Sequence, residues 1–275
     1  MATLEFDAFD VLTFDCYGTL IDWEGGILKA LQPVLAPHGV QASENDLLVQ
    51  YASHESRLEA GAYLSYREIL ARSLRGLCAD LGVDPSDADI AEFSESVAAW
   101  PAFTDSAAAL RELAERFKLG VITNCDDDLF ASSSRRLGVS FDWVVSAQAA
   151  QSYKPSLNNF EVAFSTIDAP RDRILHVAQS LYHDHVPAKQ LGMSTVWINR
   201  RHDKAGFGAT PPANATPDVT VARYAHFRES RCRPTLSILG VTAPAMVVLF
   251  SRLRREILDL GQCSGKKIPQ GFRRV

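Results

Sequence analysis

The chain has 275 residues, 47% hydrophobic and 22% charged, with a formal net charge of -5 at pH 7. This balance excludes a disordered polypeptide, and the length suits one large domain or a core carrying a smaller inserted one. No apolar run reaches the roughly 18 residues of a membrane span, and the acidic opening "MATLEFDAFD" lacks the order of a signal peptide. A cytoplasmic location without membrane contact is therefore expected. From Ala222 onward there are 11 Lys/Arg against 3 Asp/Glu, and before it 17 against 30. The acidic body disfavours a nucleic-acid partner. The five cysteines, Cys16, Cys78, Cys125, Cys232 and Cys263, form no CxxC pair and suit reduced thiols.

In chain order, the first strand is expected at Val11 to Phe14, running into "DCYGTLID". Residues 23–99 follow with helical patterns and no convincing strand, which implies an inserted bundle of about four helices. "WPAFTD" then reads as the return hinge. Further strands are expected at Leu119 to Thr123, Trp143 to Ser146, Ile174 to Ala178, Thr195 to Ile198 and Val219 to Val221. Helical segments alternate with them: "DSAAALRELAERF" with Asp105 as N-cap, "DDLFASSSRRLG" closed by Gly138, and "PSLNNFEVAFSTI" with Pro155 in its first turn. The alternation implies an α/β fold, a Rossmann-like parallel sheet core with an inserted helical cap. Expected boundaries are 1–22 and 100–221 for the core and 23–99 for the cap. An atypical basic extension, dispensable for folding and activity, is expected over 222–275.

Polar residues stand where the strands end: Asp15 after the first, Thr123 and Asn124 after "LGVI", Lys154 in "SYKPS", and Ser180 and Asp184 after "ILHVA". Ligands gather at the carboxyl ends of such strands. Each residue alone would read as a cap or turn. His183 and His185, two apart beside Asp184, read as ordinary histidines and not as a metal pair.

In "DCYGTL", "VITN", "YKPS" and "HVAQSLYHD" the chain resembles the haloacid dehalogenase superfamily, with the helical insertion where that superfamily carries its cap. The type II (S)-2-haloacid dehalogenases are the most similar subgroup, through Asp15, Tyr17, Gly18, Thr19, Leu20 and "YKP". The resemblance implies that Asp15 is a nucleophile forming an ester, that Lys154 and Thr19 hold charge around it, and that Ser180 and Asp184 complete the catalytic set. It further implies that Cys16, Tyr17, Thr123 and Asn124 bind the substrate, with Arg57 as the nearest cap arginine for the halide. Leu181 and Phe160 stand where studied members carry Asn and Tyr.

Superfamily phosphatases carry a second aspartate two residues after the nucleophile, to protonate an alkoxide, and here that position is Tyr17. Halide leaves without a proton, so the tyrosine favours carbon–halogen cleavage. Gln179 replaces an aspartate of the usual magnesium site, so no metal or cofactor is expected. The expected function is hydrolysis of short (S)-2-haloalkanoic acids to 2-hydroxy acids, with a small 2-haloacid and water as partners and a homodimer as the assembly to test. Two alternatives stay open: a superfamily hydrolase of a phosphate ester or strained amino acid, and a non-catalytic binding protein of the same fold.

Overall fold

The computed structural model describes residues 4–204, 206 and 208–221. The expectation about residues 222–275 lies outside them. Six strands form one parallel sheet in the order β3-β2-β1-β4-β5-β6. They are β1 (Val11–Phe14), β2 (Lys118–Thr123), β3 (Trp143–Ser146), β4 (Ile174–Ala178), β5 (Ser194–Ile198) and β6 (Val219–Val221). The centre of the sheet is β1, in register with β2 on one side and β4 on the other, Phe14 lying opposite both Val121 and Val177. Strand order reverses at β1, which makes the carboxyl end of this strand the natural crevice of the sheet.

Alternation along β1 sorts side chains to two faces. Leu12 and Phe14 enter the larger apolar core, together with Leu110 and Leu113 of α5 (Ser106–Ala114) and Leu129 and Phe130 of α6 (Asp127–Leu137). Val11 enters a second core with Ile122, Phe160 of α8 (Leu157–Thr166) and Ala188 of α9 (Val186–Gln190). Both faces are covered, which explains why β1, β4 and most of β2 are buried throughout and largely apolar. A one-turn helix, α7 (Ala147–Ala150), follows β3.

Between β1 and β2 the chain forms α1 (Trp23–Leu35), α2 (Glu44–Glu59), α3 (Tyr66–Asp80) and α4 (Asp87–Glu95). Each starts on a short polar cap whose side chain accepts a backbone N–H: Asp22, Ser43, Ser65 and Ser86. The insertion docks through polar contacts at its lower edge. The Asp126 carboxylate accepts the N–H groups of Tyr66 and Arg67 at 2.9 and 3.1 Å, and the Tyr153 hydroxyl donates to Leu64 O at 2.8 Å.

Two local expectations fail. Asp105 precedes α5 but makes no side-chain cap. Its carboxylate instead accepts from Arg200 Nη1 at 3.0 and 2.9 Å, because a buried acid gains more from a guanidinium than from an amide. Pro155 lies ahead of α8, whose cap is Ser156 accepting from Asn158 N.

Arg200, beyond β5, also donates from Nε and Nη2 to Thr19 O at 3.1 and 2.9 Å and lies 4.2 Å from the Phe103 ring centre. It thereby ties the loop after β1 to the return hinge. Arg200→Met should lower stability by about 3–5 kcal/mol in urea unfolding, because the Asp105 charge stays buried without its guanidinium. Adding Asp105→Leu should recover part of that loss; a single variant as stable as the wild type would contradict the clamp.

Candidate active site

The turn after β1 is built around one carbonyl. Cys16 O accepts from the N–H groups of Thr19, Leu20 and Ile21, at 3.3, 2.7 and 3.0 Å. This reversal needs Gly18 at φ +91°, a conformation that side chains with a Cβ rarely adopt. Asp15 is thus held at the last extended position, with its N–H on Val177 O of β4 at 3.1 Å. The Thr19 hydroxyl folds back to donate to Asp15 Oδ2 at 2.6 Å and itself accepts Gln179 N at 2.9 Å.

Lys154 reaches the same point from the loop after β3. Its ammonium donates to Asp15 Oδ1 at 2.9 Å, Asp184 Oδ1 at 2.7 Å and Ile122 O at 2.8 Å, three acceptors for three protons. Its side chain is 1% exposed. Burial would lower the Lys154 ammonium, but Asp15 and Asp184 outweigh it and raise it. Asp184 is driven well below the usual carboxylate range, since Lys154 and His176 overcome its burial. For Asp15 burial dominates and raises the carboxyl, opposed by Lys154 and Thr19.

Asp184 sits in a π-type turn, Leu181–His185, capped by Ser180 Oγ, which accepts His183 N at 2.9 Å. His176, mid-strand in β4, donates from Nε2 to Asp184 Oδ1 at 3.0 Å, because an ionised carboxylate can only accept, and the Thr13 hydroxyl meets Nδ1 at 3.0 Å. Asn124 is locked by the Lys154 backbone, accepting its N–H at 2.7 Å and donating to its carbonyl at 3.0 Å.

These residues border a small cavity of about 30 Å³, room for on the order of one or two waters. Asp15, Tyr17, Trp23, Asn124, Lys154, Gln179, Ser180, His183 and Asp184 line it, and Glu55 and Glu59 of α2 close it from above with Tyr66. A wider groove of about 1060 Å³ runs along α1 and α2 beside Arg201, but Asp15, Lys154 and Asp184 do not line it.

Asp15, Thr19, Lys154, Ser180 and Asp184 are therefore brought together, and Tyr17 and Asn124 stand on the same wall. Cys16 and Thr123 are buried behind it, off the cavity lining. Arg57 is a correction: it is exposed on α2, 3.5 Å from Ser53, and does not line the cavity. Two residues from Glu55 and from Glu59, it cannot share their helix face. The cavity-facing residues of α2 are instead Glu55 and Glu59.

Glu55 Oε1 accepts the hydroxyls of Tyr51 and Tyr66, each at 3.0 Å, and Glu59 Oε1 accepts Asn124 Nδ2 at 3.3 Å. Burial pushes Glu55 up to about 7, against the pull of the two phenols. Glu59 is pushed well above its usual range by burial and then by Glu55. Both were missed in the sequence, as was His176. The i, i+4 series Tyr51, Glu55, Glu59 was the available signal, since Tyr51 and Glu55 fall on the buried stripe of α2.

The donor set does not suit a magnesium ion. Gln179 offers an amide in place of a carboxylate, and the two remaining carboxylates, Asp15 and Asp184, are both already bonded by the Lys154 ammonium, so the set is short of free anionic oxygen for a dication. Among the described residues no group of three His, Cys, Asp or Glu is placed to hold a metal, and no helix is long and apolar enough to cross a membrane.

Removing the ammonium should expose the electrostatic debt of the site. Lys154→Met should cost about 3–5 kcal/mol at pH 8, because two buried carboxylates lose their counter-charge. Without Lys154 their folded-state protonation rises above that of the unfolded chain, so the folded variant is penalised as pH climbs above the unfolded carboxylate range. Denaturation at pH 5 and pH 8 should show a smaller deficit at pH 5; an equal deficit at both would contradict the charge argument.

A model of the haloacid dehalogenase-like hydrolase family matches residues 9–191, a span that includes Asp15, Lys154 and Asp184. An (S)-2-haloacid dehalogenase of Pseudomonas fluorescens is 27% identical over 216 residues, covering 77% of this chain and 92% of its own. The (S)-2-haloacid dehalogenase H-109 of Pseudomonas putida is 26% identical over 208 residues, covering 73% and 90%. The structure of L-2-haloacid dehalogenase from Xanthobacter autotrophicus shares the fold, with a TM-score of 0.65 at 19% identity over 78% of this chain and 94% of that one. With the family model matched over more than half of the chain and across Asp15, Thr19, Lys154, Ser180 and Asp184, the chain belongs to the haloacid dehalogenase-like hydrolases.

Proposed function

We propose that the protein hydrolyses short (S)-2-halo acids to 2-hydroxy acids through an ester on Asp15. The observation that carries this reading is Tyr17. Its hydroxyl pairs with Ser133 Oγ at 3.0 Å and accepts Cys125 Sγ–H at 3.3 Å, and burial holds its own proton far above the neutral range. The position two residues beyond the nucleophile therefore supplies no acid for an alkoxide, and halide departs without one. The names of the relatives from Pseudomonas fluorescens and Pseudomonas putida point the same way.

In the first step an Asp15 oxygen attacks the carbon bearing the halogen, a C–O bond forms, and the C–X electrons leave with the halide. Attack opposite the halide inverts the carbon. Water then adds to the Asp15 ester carbonyl and releases the 2-hydroxy acid, with one proton passing to solvent. Splitting the displacement this way replaces one difficult attack by water with two easier steps. Lys154 and Thr19 hold the carboxylate in one rotamer, and Asp184 holds Lys154. The Tyr17 N–H meets no backbone acceptor among the described residues and Tyr17 lines the cavity, so this N–H serves the substrate carboxylate. Asn124 and Ser180 border the same space.

The core at 1–22 and 100–221 supplies this chemistry, and residues 23–99 act as the cap that excludes water from it. Chloride release from the two enantiomers of a panel of 2-chloro acids, with and without an amino substituent, tests the reaction. Turnover should be confined to (S) forms and fall at least about 10⁴-fold in Asp15→Asn. Phosphate release from phosphate esters with magnesium, without halide release, would overturn it.

A further inference from the structure

The cap side of the cavity carries the wrong charge for a purely anionic ligand. Four carboxyl groups line it, on Asp15, Glu55, Glu59 and Asp184, and Lys154 is the one lysine or arginine among the lining residues. All three of its protons are already committed. Asp15, Lys154 and Asp184 together leave one uncompensated negative charge before either glutamate ionises. The fixed donors of the pocket, Tyr51, Tyr66 and Asn124, all address the Oε1 atoms of the two glutamates. None of these donors serves an Oε2.

Two residues that line the cavity also carry buried polar atoms without a partner. Asp184 Oδ2 is buried without a hydrogen-bond partner, and its side chain is 1% exposed. His183 Nε2 is also unpartnered, 3.8 Å from Glu59 Oε2. Burial holds His183 near 4, which keeps the ring neutral and leaves it no counter-charge for Glu59. A compact cationic donor resolves this imbalance, and a second carboxylate or an alkyl group does not.

We propose that Glu55 and Glu59 form an ammonium subsite, so that the preferred substrate is a 2-halo acid bearing a basic amino group on its chain. This rests on the reaction assigned above to Asp15 and narrows its substrate class. The substrate would bind as a zwitterion, with its carboxylate toward the turn after β1 and its ammonium toward α2.

The subsite can be tested without turnover. Calorimetry on the full chain would compare β-alanine, which carries both groups and no halogen, with propionate, which lacks the amine. β-Alanine should bind at least about tenfold more tightly, and Glu55→Gln with Glu59→Gln should abolish the preference. Each single variant keeps the shape of its side chain, and circular dichroism checks that all three proteins fold. Equal binding of the two ligands, or a preference that survives in the double variant, would overturn the subsite. Chloride assays with 3-amino-2-chloropropionate and 2-chloropropionate then separate this idea from the reaction itself. Equal turnover of both would sink the subsite and leave the reaction standing. A β-alanine preference with no chloride release from either would sink the reaction and leave the subsite. Loss of kcat on both substrates in Glu59→Gln would place that carboxyl at the leaving group and overturn its assignment to an ammonium.

Discussion

One buried ammonium organises the molecule. Lys154 Nζ donates to the carboxylate that ends β1, to a carbonyl of β2 and to the acid in the turn after β4, and is itself carried by the loop after β3. Four strand ends therefore converge on a single charge. Desolvating a lysine is costly, and the cost is offset only when every donor is satisfied and the counter-charges are fixed. The sheet provides this because its order reverses at β1, leaving a crevice at the point where Asp15 emerges. The supporting contacts follow the same logic: Thr13 orients His176, His176 orients Asp184, and the Lys154 backbone orients Asn124.

On the proposed reading, the arrangement also favours halide displacement over phosphate-ester hydrolysis. An ammonium between two carboxylates neutralises part of their charge without the open coordination positions that a dication would present. Tyr17, two residues beyond Asp15, spends its hydroxyl on Ser133 and Cys125. What remains at Asp15 is a carboxylate fixed by Lys154 and Thr19 and facing a small pocket. Such a group suits displacement at carbon with a leaving group that carries its own charge away.

Much of the fold was legible in the sequence because its signals are local. Val11–Phe14 and Ile174–Ala178 are short apolar runs of a buried parallel strand, and Gly138 closes α6 in the left-handed conformation expected of a C-cap. The meeting of Asp15, Lys154 and Asp184 was legible because a parallel sheet delivers strand ends to one edge, so residues far apart in sequence need only be terminal to meet. Asp105 was misread because a cap is a local reading, while its partner Arg200 lies 95 positions away. Arg57 failed because proximity in sequence to a cap position does not determine helix phase. Glu55 and Glu59 were overlooked because glutamate on a helix usually faces water, and only the phase relative to Tyr51 and Leu48 shows that this stripe is buried. His176 carried a plainer signal, a polar residue inside the otherwise apolar "ILHVA".

The central claim is that Asp15 becomes covalently attached to the substrate. It is tested most directly by a single turnover in ¹⁸O-labelled water, with enzyme in excess, followed by mass analysis of the peptide containing Asp15 and of the product. Water attack on the ester carbonyl places the label on Asp15 and leaves the first-formed hydroxy acid unlabelled. Label in the product of the first turnover, with Asp15 unchanged, would mean that water attacks the carbon directly and would contradict the account.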